Sequence, residues 1–184
     1  TRGLYGPVVA LGPTGVASNN IGGFTWQSVC KMSRSSKTSN ASLDTKTTMG
    51  RNIEGIRLII IDEVSMISCE ALNVISSRFR DARVITIADI DERKRLQDVP
   101  FGGIHVLYVG DFYQLPPISS IPLFDPSAKK PEAISGRNIW CMIEHYIELD
   151  VNHRLQDSDE GTKTLATCLK VLRKGQVSSR SLAI

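Results

Sequence analysis

The chain has 184 residues, of which 41% are hydrophobic and 22% are charged, and its formal net charge is +3. This composition is typical of a globular domain and excludes a disordered tail. The sequence contains no apolar run of about 18 residues, so it predicts no membrane-spanning helix. The charge alone indicates no partner, because nucleic-acid binding depends on a clustered basic face. The segment from Thr1 to Tyr5 does not resemble a signal peptide, and we expect it to be a cut edge of a longer protein.

Three short apolar runs predict buried strands of a parallel sheet, because they are rich in β-branched residues and do not alternate with polar ones. Tyr146–Leu149 is a fourth, weaker candidate. Each of the three runs ends in small or acidic residues: Val8–Leu11 at Gly12–Gly15, Leu58–Ile61 at Asp62 and Glu63, and Ile104–Val109 at Gly110 and Asp111.

Two helices are predicted from apolar residues that recur every three or four positions. The first spans Cys69–Arg83, with Ser68 placed as its N-cap, and the second contains residues 165–172 and ends before Gly175. Strands that alternate with helices predict an α/β sandwich, with a mostly parallel sheet and helices on both faces.

Two segments between these elements are predicted to be loops. Residues 33–52 are rich in Ser, Thr and Lys, and we expect a mobile loop because they bury little apolar surface. Residues 118–131 are rich in proline and are also expected to be a loop. The four cysteines, Cys30, Cys69, Cys141 and Cys168, contain no C-x-x-C pair, which predicts reduced thiols and no metal-ligand spacing.

Polar residues that follow the strands predict one site, because ligands of a parallel sheet bind beyond the carboxyl ends of its strands. Asp62 is suited to hold Mg²⁺ through its water shell, and Glu63 to orient or deprotonate an attacking water. The alternative is that both acids only cap the following helix, whose N-terminus favours negative charge. Gln114 is suited to sense a phosphate, because its amide both donates and accepts hydrogen bonds, and Pro116 and Pro117 restrict the backbone of the loop that follows it. The alternative is that Gln114 is simply a solvated turn residue.

The Gly-rich segments 12–15 and 21–25 predict contacts to phosphates, because glycine lets backbone amides approach them. Thr14 and Thr25 are able to donate hydrogen bonds to the same groups. A neighbouring aromatic residue, Phe24 or Trp26, is suited to stack on a base, although aromatic residues more often fill cores.

These strings resemble the motifs of the PIF1-like helicases, in the order in which that family has them and from about Val8 to Gly175. The resemblance covers nearly the whole chain. The matching strings are residues 12–17 and 21–25 for motif Ia, 59–66 for the Walker B motif, 101–103 and 110–117 for motif III, and Leu149, Asn152–Arg154 and Leu172–Gly175 for the Arg-containing motif and the helix end after it.

The resemblance implies a partial RecA-like P-loop NTPase domain over residues 1–184, with ATP and Mg²⁺ as cofactors. In this family Asp62 would bind the metal, Glu63 would be the catalytic base, and Gln114 and Arg154 would contact the γ-phosphate. The implied DNA contacts are Thr14, Gly15, Gly23, Thr25 and Gln27.

The sequence departs from the family pattern at three places. No G-x-x-x-x-G-K-[ST] loop occurs, and we expect it upstream of Thr1. Gln27 stands where the family usually has His, and Leu155 separates Arg154 from Gln156, where the family has Gln directly after Arg. Nothing after Gly175 resembles the second motor domain, so we expect an interior fragment that does not work as a motor by itself.

The resemblance implies an ATP-dependent 5′-to-3′ DNA helicase that acts in genome maintenance, repair and recombination. Its partners would be single-stranded and forked DNA, with no membrane, and its location would be intracellular: the nucleus of a eukaryote, or else the mitochondrion. One alternative is a catalytically dead or domesticated copy, for instance from a mobile element, that acts as a DNA-binding or interaction module. Another is a clamp-loader-like ATPase, against which the string Gly110–Pro117 argues.

Overall fold

The computed structural model describes residues 3–32, 41–149, 151, 160–173 and 175. The chain divides into two compact units, Thr1–Met142 and Ile143–Ile184. The first unit contains the sheet and its helices, and the second contains one described helix.

A parallel sheet forms the centre of the first unit, and its strands lie in the order β2-β1-β3-β4. Leu11 pairs with both Phe24 and Ile61, and Ile61 pairs with Tyr108, so all four strands end at the same edge. The three predicted strands are therefore confirmed, and the shortest strand is an addition. The strands are β1 (Val8–Gly12), β2 (Phe24–Thr25), β3 (Leu58–Ile61) and β4 (His105–Tyr108).

Helices and two short 3₁₀ turns lie between the strands, and two further helices follow the last strand, in agreement with the predicted α/β class. The helix Pro131–Trp140 begins at a proline, which suits the first helical position because its missing N–H would have no partner there. The helices are α1 (Gly15–Asn20), α2 (Trp26–Val29), α3 (Leu43–Asn52), α4 (Cys69–Thr86), α5 (Ile90–Leu96), α6 (Pro131–Trp140) and α7 (Glu160–Arg173), and the 3₁₀ turns are Val64–Met66 and Pro100–Gly103.

Helix α4 is the longest and carries the centre of the core. Its predicted N-cap is confirmed, since the Ser68 side chain accepts a hydrogen bond of 3.1 Å from the Ala71 N–H. Leu72, Ile75 and Phe79 are fully buried, and burial of each side chain stabilises the fold by about 1.5–3 kcal/mol. The apolar spacing read from the sequence therefore identified the buried face of this helix.

The prediction of a loop over residues 33–52 is wrong for its second half, which is helix α3. Ser42 caps this helix by accepting a hydrogen bond of 3.2 Å from the Thr45 N–H. Met49 and Ile53 are buried in the core although the segment is mostly polar. A cap and two buried apolar residues help to order this helix, and the polar composition of the segment did not reveal it. Residues 33–40 lie outside the described residues.

The weaker strand prediction at Tyr146–Leu149 is also wrong, because this segment forms neither strand nor helix. A strand needs a neighbour to satisfy its backbone groups, and β-propensity alone does not supply one. The loop predicted over residues 118–131 is confirmed up to residue 130, apart from an isolated bridge between Ser68 and Pro122.

Helix α7 of the second unit confirms the predicted C-terminal helix. Gly175 ends it with a left-handed φ of 67°, and its N–H donates to the Leu172 carbonyl at 2.9 Å. A glycine adopts this conformation without the strain that a Cβ would cause. Within the described ranges, no helix is long and apolar enough to cross a membrane.

Candidate functional site

A cleft of about 280 Å³ opens at the carboxyl edge of the sheet. It is lined by Thr14, which follows β1, by Glu63, which follows β3, and by Gln114, which lies in the loop after β4. The predicted convergence of three strand ends on one crevice is therefore confirmed.

Glu63 has a backbone conformation that non-glycine residues rarely adopt, with φ 51° and ψ 45°. Such a conformation costs about 1–3 kcal/mol and persists only where the surrounding structure holds it. Two hydrogen bonds hold the flanking residues: the Asp62 N–H donates to the Leu11 carbonyl at 2.9 Å, and the Val64 N–H donates to the Val109 carbonyl at 3.0 Å. Glu63, at this sharp turn, is one of the residues that line the cleft.

Gly110 allows the two turns behind the cleft to touch. A Cβ at this position would lie only 2.7 Å from the Val64 nitrogen, closer than real Cβ contacts. Glycine is therefore required by the close approach of the loop after β4 to the turn after β3.

Asp62 is partly buried beside Glu63 and is the residue predicted to bind magnesium. Among the described residues, no group of three or more His, Cys, Asp or Glu side chains is placed to hold a metal ion. A single carboxylate suits Mg²⁺, because this ion keeps several waters and binds substrate phosphates rather than a full protein cage. Asp62 is not among the residues that line the cleft, but its carboxylate is the type of ligand that would hold a magnesium ion brought in by a nucleotide.

The alternative that both acids cap a helix finds no support in the local geometry. Glu63 stands at the start of the 3₁₀ turn Val64–Met66 but makes no capping hydrogen bond with its side chain. The next helix, α4, is capped by Ser68. Another role is therefore left open for the two carboxylates.

Asp111 organises the turn that presents Gln114. Its carbonyl accepts the Gln114 N–H at 2.9 Å, and its Oδ1 accepts the Tyr113 N–H at 3.0 Å. The Gln114 side chain donates from Nε2 to Asp111 Oδ2 at 3.4 Å. Gln114 is exposed but is not simply a solvated residue, since its turn and its side chain are both held.

Thr14 and Gly15 are exposed at the start of α1. The Thr14 Oγ1 accepts a hydrogen bond of 3.2 Å from the Ala17 N–H, which leaves its own hydroxyl hydrogen able to donate. A side chain added at Gly15 would meet nothing within 4 Å, so its backbone is open to a ligand. The geometry of this pair suits an approach by a phosphate backbone.

The other predicted DNA contacts are less open. A Cβ at Gly23 would collide with the backbone of Ala10, so close packing by itself explains this glycine. Thr25 caps α2 by accepting from the Ser28 N–H at 3.3 Å. The Oε1 of Gln27 is buried and has no hydrogen-bond partner among the described residues. The side chain of Gln27 is therefore turned inward, at least at this atom.

The two aromatic residues considered for base stacking differ in exposure. Phe24 is 46% exposed, and its ring meets Tyr5 edge to face with centroids 5.0 Å apart. Trp26 is partly buried and packs against the core. The core alternative therefore describes Trp26, whereas Phe24 keeps an accessible surface.

Several residues of the cleft were not predicted from the sequence. Asn20 follows Val16 by four positions, so both lie on one face of α1, and this spacing was the signal that could have identified them. Met66 and Leu115 lie inside the strings 59–66 and 110–117, but the sequence motifs alone assigned no function to either residue. The further lining residues are Val16, Ala17, Asn20, Met66 and Leu115.

The cleft lacks a positive charge among the residues that the structure describes, since Glu63 is its only ionisable lining residue. Phosphate groups require cationic or amide donors. Arg154, the predicted contact of the γ-phosphate, lies outside the described residues.

All four cysteines are free thiols. Burial raises the pKa of Cys30 to about 12, against a smaller opposing effect of Arg78. Burial also raises the pKa of Cys69, whose Sγ donates to the Pro122 carbonyl at 3.2 Å. Both thiols stay protonated at neutral pH, so neither is suited to be a nucleophile or a metal ligand.

Known proteins match the chain along most of its length. It is 32% identical over 134 residues to an ATP-dependent DNA helicase PIF1 of Saccharomyces cerevisiae, which covers 66% of this chain and 13% of the yeast protein. It is 28% identical over 183 residues to an ATP-dependent DNA helicase Pif1 of Bdellovibrio bacteriovorus, which covers 92% of this chain and 34% of that protein. The chain therefore spans 13% to 34% of the length of these relatives.

Solved structures share the fold. A Bacteroides Pif1 helicase in complex with ADP-AlF3 and ssDNA is 23% identical, with a TM-score of 0.61, and the match covers 95% of this chain and 38% of that one. A structure of two coordinating Pif1 helicases at forked dsDNA is 22% identical, with a TM-score of 0.61, and the match covers 96% of this chain and 40% of that one. At this identity the likeness establishes the RecA-like α/β fold. The sequence profile described as PIF1-like helicase matches residues 4–182, and the chain belongs to this family.

Proposed function

We propose that this chain is part of an ATP-dependent DNA helicase that moves 5′ to 3′ along single-stranded DNA and separates forked duplexes. The observation that carries the proposal is the cleft in which Thr14, Glu63 and Gln114 meet. Family membership supports it, as do relatives bound to ADP-AlF3 with ssDNA and to forked dsDNA. Genome maintenance, repair and recombination in the nucleus or mitochondrion belong to the same proposal.

In the proposed hydrolysis, each acid after β3 has its own task. Asp62 would hold a magnesium ion, which would supply charge compensation for the phosphates. Glu63 orients the attacking water and accepts its proton, for which the strained turn holds its carboxylate at the cleft wall. Gln114 contacts the γ-phosphate, and Arg154 adds positive charge at the transferring phosphoryl group.

Coupling of hydrolysis to DNA movement follows from the shared walls of the cleft. Gln114 and Thr14 line the same cavity, so a shift of the Gln114 turn after phosphate loss reaches the start of α1. Thr14 and Gly15 contact the DNA backbone there, with Gly23, Thr25 and Gln27 as further contacts. The exposure of Thr14 and Gly15 supports the first two most directly.

In the proposed function, the cations and backbone amides that hold the ATP phosphates belong to residues other than those of the cleft described above. The sequence has no G-x-x-x-x-G-K-[ST] string, and no Lys or Arg lines the described cleft. We therefore propose that ATP hydrolysis requires sequence that flanks this chain in the gene.

The test is DNA-stimulated ATP hydrolysis, measured on this chain and on a version extended in both directions along its coding sequence. We expect hydrolysis only in the extended protein, with a dependence on single-stranded DNA. Unwinding of substrates with a 5′ or a 3′ overhang then measures polarity, and preference for the 3′ overhang would contradict the proposed direction.

A second candidate is a catalytically inactive copy that binds DNA, which the lack of cations in the described cleft favours. The same measurement separates the two. A folded, extended protein that binds single-stranded DNA but hydrolyses no ATP would support the inactive copy and overturn the helicase proposal.

A further inference from the structure

Four aromatic residues form a connected group beside the Gln114 turn, and we call Tyr108, Phe112, Phe124 and Trp140 the aromatic cluster. The ring of Phe112 meets those of Trp140 and Phe124, each with a centroid distance of 5.4 Å and nearly perpendicular planes. Trp140 also meets Tyr108 edge to face at 5.4 Å. Such edge-to-face contacts are favourable and directional, so they restrict how each ring turns.

Trp140 is held from two sides. It is the last residue of α6, and this helix lies so close to α4 that Gly136 has no room for a side chain beside the Cys69 carbonyl. Its ring also packs against Tyr108, the last residue of β4. Trp140 therefore joins the helix layer to the sheet at the point where the Gln114 loop begins.

Phe112 has no comparable support of its own. It is 40% exposed and lies in the turn that Asp111 organises, two residues before Gln114. Its ring rests on Trp140 and on Phe124, and Phe124 is itself 58% exposed in an irregular segment. The better anchored of its two supports is Trp140.

We propose that Trp140 is a positioning residue that holds Gln114 in the cleft through its contact with Phe112. The inference rests on the proposed function, because an ordered Gln114 side chain matters only if it contacts a γ-phosphate. Trp140 touches neither substrate nor reacting atoms in this role. Its ring restricts the turn through the contact with Phe112, so that the Gln114 amide meets the phosphate without first having to be ordered.

The first experiment uses this chain and needs no nucleotide. Hydrogen exchange of the Gln114 backbone amide is measured by NMR in wild type, Trp140→Ala, Trp140→Phe and Ile139→Ala. We expect exchange about fivefold faster in Trp140→Ala, since Phe112 loses its contact with the indole ring, and close to wild type in Trp140→Phe. Ile139 lies on the same helix and packs on the core outside the aromatic cluster, so its truncation controls for general loosening.

The outcomes decide between positioning and simple packing. Equal acceleration in Trp140→Ala and Ile139→Ala, or none in either, would overturn the proposal. If Trp140→Ala weakened binding of an oligothymidine but left the Gln114 amide unchanged, the cluster would be a base-stacking platform, and the proposal would again fail.

The second experiment uses the extended protein and measures kcat, KM for ATP and ATP hydrolysed per base pair separated. We expect Trp140→Ala to lower kcat and raise the ATP used per base pair while KM changes little, and Trp140→Phe to restore both. Unchanged values in Trp140→Ala would count against the positioning role. A wild-type protein without hydrolysis would instead refute the proposed function, and the exchange measurement would still decide what holds the turn.

Discussion

Glu63 has a left-handed backbone conformation, which residues with a side chain rarely adopt. The left-handed turn is held by the hydrogen bonds of Asp62 and Val64 to neighbouring strands. Adjacent carboxylates after an apolar run were readable from the sequence. The strained turn was not, because it results from contacts with residues that are distant in the chain.

Replacement of Glu63 by Gln should abolish most ATP hydrolysis in the extended protein. The amide keeps the shape of the side chain but cannot accept the proton of the attacking water, so we expect kcat to fall by about 10²–10⁴-fold. Single-stranded DNA binding and the thermal midpoint should stay near wild type. Glu54→Gln, at an exposed position, is the matched control, and wild-type turnover by Glu63→Gln would refute its assignment as the base.

Replacement of Gly110 by Ala should destabilise the fold. The new Cβ would lie 2.7 Å from the Val64 nitrogen, so the two turns behind the cleft must separate. We expect a loss of about 1–3 kcal/mol in the free energy of unfolding, measured by urea denaturation. Gly6→Ala is the control, because a Cβ there meets nothing within 4 Å. Equal stability of the two variants would show that the turns have room to move.

At the scale of elements, helices α3 and α4 are joined by a charged contact that the sequence did not reveal. Lys46 Nζ lies 2.8 Å from Asp81 Oδ2, and Arg80 lies 3.0 Å from Asp81 Oδ1. Burial alone would raise the pKa of Asp81, but the hydrogen bonds from Lys46 and Arg80 together hold it below its ordinary value. The contact helps to place the helix that had been predicted as a loop.

Asp81→Asn should lower stability in a way that depends on pH. A carboxyl whose pKa is lowered in the folded state stabilises the fold above its ordinary pKa of 3.8 and loses this contribution as pH falls through the lower folded value. We expect a loss of about 1 kcal/mol or less near neutral pH, since the side chains are 21–29% exposed. Urea denaturation across the acid range measures it, and a loss that persists at the lowest pH would point to packing instead.

At the scale of the whole molecule, the sheet brings together residues from three strand ends that are far apart in the chain. The parallel order β2-β1-β3-β4 directs every carboxyl end to one edge, where the cleft opens. Among the residues that the structure describes, those that line the cleft include no cation.

Nucleotide binding should therefore distinguish this chain from its extended form. Because no described residue of the cleft offsets the phosphate charge, we expect this chain to bind a fluorescent ATP analogue with a Kd of about 1 mM or weaker, a binding free energy of about 4 kcal/mol or less. The extended protein should bind it far more tightly. Micromolar binding by the chain alone, confirmed as folded by circular dichroism, would mean that its own Lys and Arg residues complete the cradle.

Much of the fold was predictable because its signals are local. Apolar runs defined β1, β3 and β4, spacing defined α4 and α7, and Ser68 and Gly175 marked helix ends. Segment 43–52 and Tyr146–Leu149 were assigned wrongly for one reason. In both, the outcome depends on whether a partner is there to pack against, and neither composition nor propensity contains that information.

The sequence by itself determined the family, the α/β class and the identity of Asp62, Glu63 and Gln114 as candidates, because motifs and periodicity are properties of neighbouring residues. Only the tertiary structure decided that Glu63, Gln114 and Thr14 share a cleft, that Gly23 serves packing, and that Trp140 lies behind the Gln114 turn. Those relations join residues that are distant along the chain, and they arise from sheet order and helix packing, which no local pattern specifies.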